Sequence, residues 1–174
     1  MPGGQERALR RRINSVQSTK QITRAMELIA ATRVVKAMTR ANAARPYSTK
    51  MTGVIEDLAA GGVGIDDPLL RSSETVSSIG FVVITSDRGL AGAYNSSVIR
   101  AAEKEIMAAQ TEGKEYKLVL VGKKAADYFR FRNYQIEASF SGMTDTPSYE
   151  DARDVATTVR DLFVSEAVDQ VILA

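Results

Sequence analysis

From Gln5 to Thr52 the chain has no glycine and one proline, and Ala, Arg, Lys, Met, Leu, Glu and Gln dominate the stretch. These residues lose little side-chain freedom in a helix, so the first third, to about Leu58, is predicted to be one long helix. Leu9, Ile13, Val16, Ile22, Met26, Ile29, Ala37, Ala41 and Ala44 recur mostly three or four apart and lay one apolar stripe along it. Thr19 and Arg33 fall where a strict seam would place large hydrophobes. That narrow, interrupted stripe suits a coiled coil with a different partner helix better than a self-sufficient zipper. At about 1.5 Å per residue, forty to fifty-five residues make a rod of roughly 60 to 80 Å, longer than one small domain can enclose. Arg45-Pro46-Tyr47 is its single breaker. A kink is expected there, with the helix resuming through Met51, Val54, Ile55 and Leu58.

The charge is distributed unevenly. Between Gln5 and Arg45, ten basic residues face only Glu6 and Glu27, a net +8, and the rest of the chain carries −6 towards the total of +2. A basic rod fits an acidic surface, whether nucleic acid, anionic lipid or an acidic protein sleeve; the alternative is that the charges simply keep a long exposed helix solvated. No run approaches the roughly 18 apolar residues of a transmembrane helix, and the amino terminus lacks the apolar core of a secretory signal, so the chain is expected on the cytosolic side. There is neither cysteine nor histidine. Disulfides, thiolate nucleophiles and the commonest general base and metal ligand are thereby absent, which weakens most enzyme readings.

Gly61-Gly62-Val63-Gly64-Ile65-Asp66-Asp67-Pro68 ends the helical pattern. Three parts are expected: a shaft over 1–60, a linker over 61–77 and an α/β domain over 78–174. Ile79–Thr85, Tyr116–Val121, Tyr134–Phe140 and Val171–Ala174 read as strands. Helices are predicted from a cap at Asn95 or Ser96 to about Thr111, over Lys123–Phe131, and from about Tyr149 to Ser165. Ala152, Val155, Ala156, Val159, Leu162 and Phe163 form the inner face of the last helix. Strands alternating with helices give right-handed crossovers and a parallel, Rossmann-like sheet, so the fold class is α/β. The last apolar strand has no continuation and the long helix no mate within the chain. A missing carboxyl-terminal part containing a long antiparallel helix is therefore expected.

The loop Ser86-Asp87-Arg88-Gly89-Leu90-Ala91-Gly92 is the best place for chemistry, because a glycine-bearing turn from strand to helix is where a phosphate would sit. Gly89 and Gly92 make only G-x-x-G, however, and Gly122-Lys123-Lys124 replaces the acidic ribose partner without completing a phosphate loop. The glycines are better explained as a tight turn with Asp87 and Arg88 bonding locally, Arg88 remaining a reasonable partner contact. Asp145, Glu150, Asp151 and Asp154 cluster at a helix start, where the helix dipole suffices to explain them. No catalytic, cofactor or metal residues are assigned.

Ile13-Asn14-Ser15-Val16-Gln17-Ser18-Thr19-Lys20-Gln21-Ile22-Thr23-Arg24-Ala25-Met26-Glu27-Leu28, with Ala44-Arg45-Pro46-Tyr47 and Ser86-Asp87-Arg88-Gly89-Leu90-Ala91-Gly92, resembles the gamma subunit family of rotary ATP synthases along the whole chain. The resemblance implies a noncatalytic, cofactor-free central shaft. Its amino-terminal helix would wind around a carboxyl-terminal helix inside a ring of alpha and beta subunits, and the epsilon subunit and the membrane c-ring would be the other partners. It also implies a peripheral place on the cytoplasmic face of the cell membrane. Lys20, Arg24, Met26, Arg33, Asp87 and Arg88 become the expected partner contacts. Ala91 stands where many members carry cysteine, and the dithiol insertion of the chloroplast type is missing, so redox control is not implied. The competing reading is a basic coiled-coil nucleic-acid binder, which lacks a recognisable reading module.

Overall fold

The structure, a computed structural model, describes residues 2–60, 67–71, 73 and 75–174. Residues 61–66 of the expected linker, with its glycine cluster, lie outside the described residues. The chain divides into two units, Met1–Gly64 and Ile65–Ala174.

The first unit is one helix, α1 (Pro2–Ala60), 59 residues long and so about 90 Å from end to end. It does not stop and resume at Pro46: the helix runs uninterrupted through that residue and through Gly53. A single proline removes only the hydrogen bond to the carbonyl four residues back, and the strong helix formers on both sides carry the turn. Threonines, weaker formers, are accommodated by bonding back to the preceding turn. Thr19 donates to the Ser15 carbonyl at 3.0 Å, Thr32 to that of Ile29 at 2.9 Å and Thr39 to that of Val35 at 2.9 Å. Glu6 pairs with Arg10 and Glu27 with Arg24 along the surface. The apolar stripe is uncovered, with Ile13, Ile22 and Ile29 all more than half exposed.

The second unit begins with a short 3-10 turn, Pro68–Leu70, whose start is capped by the Asp67 carboxylate. It continues as β1 (Ser78–Ile84), α2 (Tyr94–Thr111), β2 (Glu115–Val121), α3 (Lys123–Phe131), β3 (Ala138–Phe140), α4 (Tyr149–Val164) and β4 (Gln170–Leu173). The sheet order is β3-β2-β1-β4 and every pairing is parallel. Ser78 lies opposite Glu115 and Ile84 opposite Val121, while Ile79 pairs with Gln170 on the other side of β1. Strand alternation sends Phe81, Val83, Leu118 and Leu120 to one face, where Ile99, Ala102 and Ile106 of α2 and Ala125 and Phe129 of α3 complete a closed core.

The opposite face is only partly covered. None of α4 is fully buried, and Ala152 and Ala156, expected on its inner face, are exposed. Both nonetheless lie on the side of α4 that faces the sheet, across an open space. An apolar groove of about 680 Å³ remains there, lined by Val82, Ile84, Val121, Met143, Val155, Val159, Val171 and Leu173.

Two expected boundaries shift for visible reasons. β3 starts at Ala138 instead of Tyr134, because the Tyr134 amide donates to the Phe129 carbonyl and the Gln135 amide to the Tyr116 hydroxyl, leaving neither for the ladder. α2 begins at Tyr94 without a side-chain cap. Asn95 instead turns back and accepts from the Ser86 amide at 2.9 Å.

Candidate partner-contact surface

The loop between β1 and α2 is braced at both shoulders. Asp87 is the first brace: its carboxylate accepts from the backbone amides of Lys123 (2.9 Å), Gly142 (2.9 Å) and Thr144 (3.1 Å) and from the Thr144 hydroxyl (2.7 Å). Burial alone would push its pKa up, but these donors favour the charged form more strongly and hold it down at about 2, against an ordinary 3.8. Asn95 is the second brace, bonded to the amide and hydroxyl of Ser86. In place of the expected bonds within its own turn, Asp87 therefore bonds across the fold: one carboxylate joins the ends of β1, β2 and β3.

Between the braces the loop is exposed from Arg88 to Tyr94. Arg88 reaches Asp145 at 2.8 Å while three quarters of its side chain stays in solvent. Leu90 is 92% exposed, with a left-handed φ of 62°. A leucine in that backbone region is strained, and the neighbouring Gly89 and Gly92 make the turn around it. The sequence had attributed Asp145 to a helix start. Its proximity to Arg88 depends on the loop after β3 folding back over the end of β1, and no local motif records that.

On α1 the helical repeat sets Lys20 and Arg24 on one strip with Gln17 and Gln21. Arg24 is held by Glu27 at 3.0 Å, Met26 is about half exposed, and Arg33 lies exposed further along the helix. Lys20, Arg24, Met26 and Arg33 thus belong to the first unit, and Asp87 and Arg88 to the second. Among the described residues no group of three or more carboxylates is arranged to hold a metal ion, and no helix is long and apolar enough to cross a membrane.

A basic helix with an uncovered apolar stripe, joined in sequence to a parallel α/β unit, matches a known family. The family model described as ATP synthase covers residues 5–174, and the chain belongs to that family. Within it the similar proteins are gamma chains. The chain is 48% identical over 162 residues to the ATP synthase gamma chain of Frankia casuarinae, covering 93% of this chain and 54% of that one. It is 44% identical over 164 residues to that of Mycolicibacterium vanbaalenii, covering 94% and 53%. The chain thus spans about half the length of the curated relatives it matches. A cryo-EM structure of the central stalk and c-ring of the Tetrahymena thermophila mitochondrial ATP synthase shares the fold, with a TM-score of 0.68 at 24% identity, over 87% of this chain and 63% of that one.

Proposed function

We propose that this chain works as part of the central rotor of an ATP synthase, with residues 1–60 as the shaft, 61–77 as a linker and 78–174 as a coupling domain. The observation that carries the reading is the similarity to gamma chains over more than nine tenths of the sequence. The shaft is noncatalytic and needs no cofactor. Its partners are the alpha and beta subunits around α1, the epsilon subunit and the c-ring, at the cytoplasmic face of the membrane. The alternative of a nucleic-acid binder has no support among the similar proteins.

The mechanism is mechanical. A shaft whose surface differs from side to side makes different contacts with each of three beta subunits, and only such a difference can bias them among states of different nucleotide affinity. Lys20, Arg24, Met26 and Arg33 supply that surface on α1, and Arg88, with Asp87 beneath it, supplies it on the loop. The apolar stripe takes an antiparallel partner helix. Complete burial is worth about 1.5–3 kcal/mol for each large apolar side chain, and the stripe's isoleucines, more than half exposed, leave most of that still to be gained.

The test is reconstitution of the intact protein with alpha and beta subunits and measurement of ATP-driven rotation. An assembly that forms and turns only when this subunit is present is the expected result. Failure to assemble, together with tight, salt-sensitive binding to DNA, would return the reading to the nucleic-acid alternative.

A further inference from the structure

The stretch that precedes β1 is tied down far more strongly than a connection needs to be. One Nη of Arg71 donates to two carbonyls, those of Phe163 and Val168, both at 2.7 Å. The guanidinium stacks over the Phe163 ring, 4.3 Å from its centroid. Its other Nη donates to the Ser73 hydroxyl at 3.2 Å and stands 3.9 Å from Asp169. Asp169 in turn accepts from the amides of Ser77 (2.8 Å) and Ser78 (3.0 Å), and the Ser78 hydroxyl donates to the Ala167 carbonyl. The arginine side chain is 23% exposed and its Nε is buried with no partner among the described residues. A desolvated cation with an orphaned donor is expensive, so the placement answers to geometry: a guanidinium can hold two carbonyls with one Nη and Ser73 with the other while lying flat on a ring, a set of contacts that a single ammonium cannot reproduce.

We infer that Arg71 is the mechanical anchor of the α/β unit: it fastens the chain arriving from the helical unit to the turn between α4 and β4. A pull or twist on that chain is then carried into the end of α4 and the start of β4. Without the anchor the same load falls on the weaker ties that follow, the Ser73 hydroxyl on Asp169 at 3.4 Å and Val76 against the core. It then falls on Ser77 and Ser78, where it peels β1, an inner strand of the sheet, from its first residue. The use of such an anchor in a rotor rests on the function proposed above; the anchor itself does not.

The test is single-molecule pulling on the whole chain. The sequence has no cysteine, so Asp57→Cys on α1 and Lys104→Cys on α2 supply the only two handles. In the parent chain the segment beyond Arg71 holds until the α/β unit ruptures. In Arg71→Met an extra lengthening precedes that rupture at lower force, its upper limit being about 25 Å, the fully extended span of the seven residues from 71 to 77, less the distance they already cover in the fold. Arg71→Lys, which keeps the charge and loses the fork, gives the same early step. If Arg71→Met does not fold, the comparison with Arg71→Lys decides. A variant trace identical to the parent's overturns the inference. So does a weaker main rupture without a separate early step, because that outcome makes Arg71 a general stabiliser. Pulling uses this chain alone, so a failed assembly with alpha and beta subunits would overturn the rotor reading and leave this result standing.

Discussion

Asp87 and Gly122 show how much of the loop scaffold depends on single residues. Replacing Asp87 by Asn keeps the shape and removes the charge that four donors address. A loss of about 1–2 kcal/mol at neutral pH is expected, read as a shift in the denaturant midpoint. The folded pKa is depressed, so the stabilisation is complete above the ordinary value of 3.8 and is lost as pH falls towards 2. The gap between parent and Asp87→Asn therefore closes over that window, and a gap that stayed constant down to pH 2 would contradict the assignment. Gly122 sits at φ +93°, and a Cβ there would lie 2.1 Å from the Thr85 carbonyl oxygen. Gly122→Ala forces β1 and β2 apart at their ends, at a cost of about 3 kcal/mol or more, measurable by thermal unfolding. In the sequence the glycine stands out within Gly122-Lys123-Lys124, but the carbonyl that forbids a side chain belongs to a residue 37 positions earlier. Glu103 is a similar case. It accepts from the Tyr128 and Tyr134 hydroxyls, both at 2.9 Å, and from Arg132, and the pKa of Tyr134 rises to about 12 through burial and that bond. Nothing in the spacing of these residues announces their meeting.

The elements were largely legible because each is encoded locally. β1 is a nearly continuous apolar run and β2 ends in one over 118–121, and α3 occupies the predicted Lys123–Phe131. α4 starts at the expected Tyr149, with a capping box in which Ser148 and Asp151 bond each other's backbone amides. Ser148→Ala is expected to cost about 1 kcal/mol, seen as earlier loss of helical circular dichroism on heating; an unchanged midpoint would show that packing alone fixes the start of α4. The misplaced features have a common origin. Asn95 and Tyr134 look like a cap and a strand residue by propensity, but tertiary partners claimed their hydrogen-bonding groups. On α4, periodicity chose the inner face, but periodicity cannot say how closely a helix approaches its sheet, and with alanines at 152 and 156 it leaves a groove. Pro46, a breaker by rule, stands inside a helix that continues on both sides of it.

For the whole molecule, the proposed contacts meet their test in an assembly. Arg88→Glu replaces the exposed cation beside Asp145 with a like charge, and a several-fold loss of coupled ATP synthesis is expected in the reconstituted complex, with the α/β unit still folded by circular dichroism. The pairing with Asp145 is surface-exposed and worth about 1 kcal/mol or less to the fold, so the effect should appear in coupling and not in stability. Unimpaired synthesis would remove Arg88 from the contact surface. By itself the sequence determined the long helix, its charge, its uncovered stripe, the parallel α/β class and the family, because composition, periodicity and motif are properties of neighbours along the chain. Only the tertiary structure decided that Asp87 braces three strand ends, that Asp145 faces Arg88, that α4 stands off the sheet and that Arg71 grips the turn beyond α4. The Asp87, Asp145 and Arg71 contacts join groups 36 to 97 residues apart in sequence, and the strength of such a meeting lies in distances and directions that no local pattern carries.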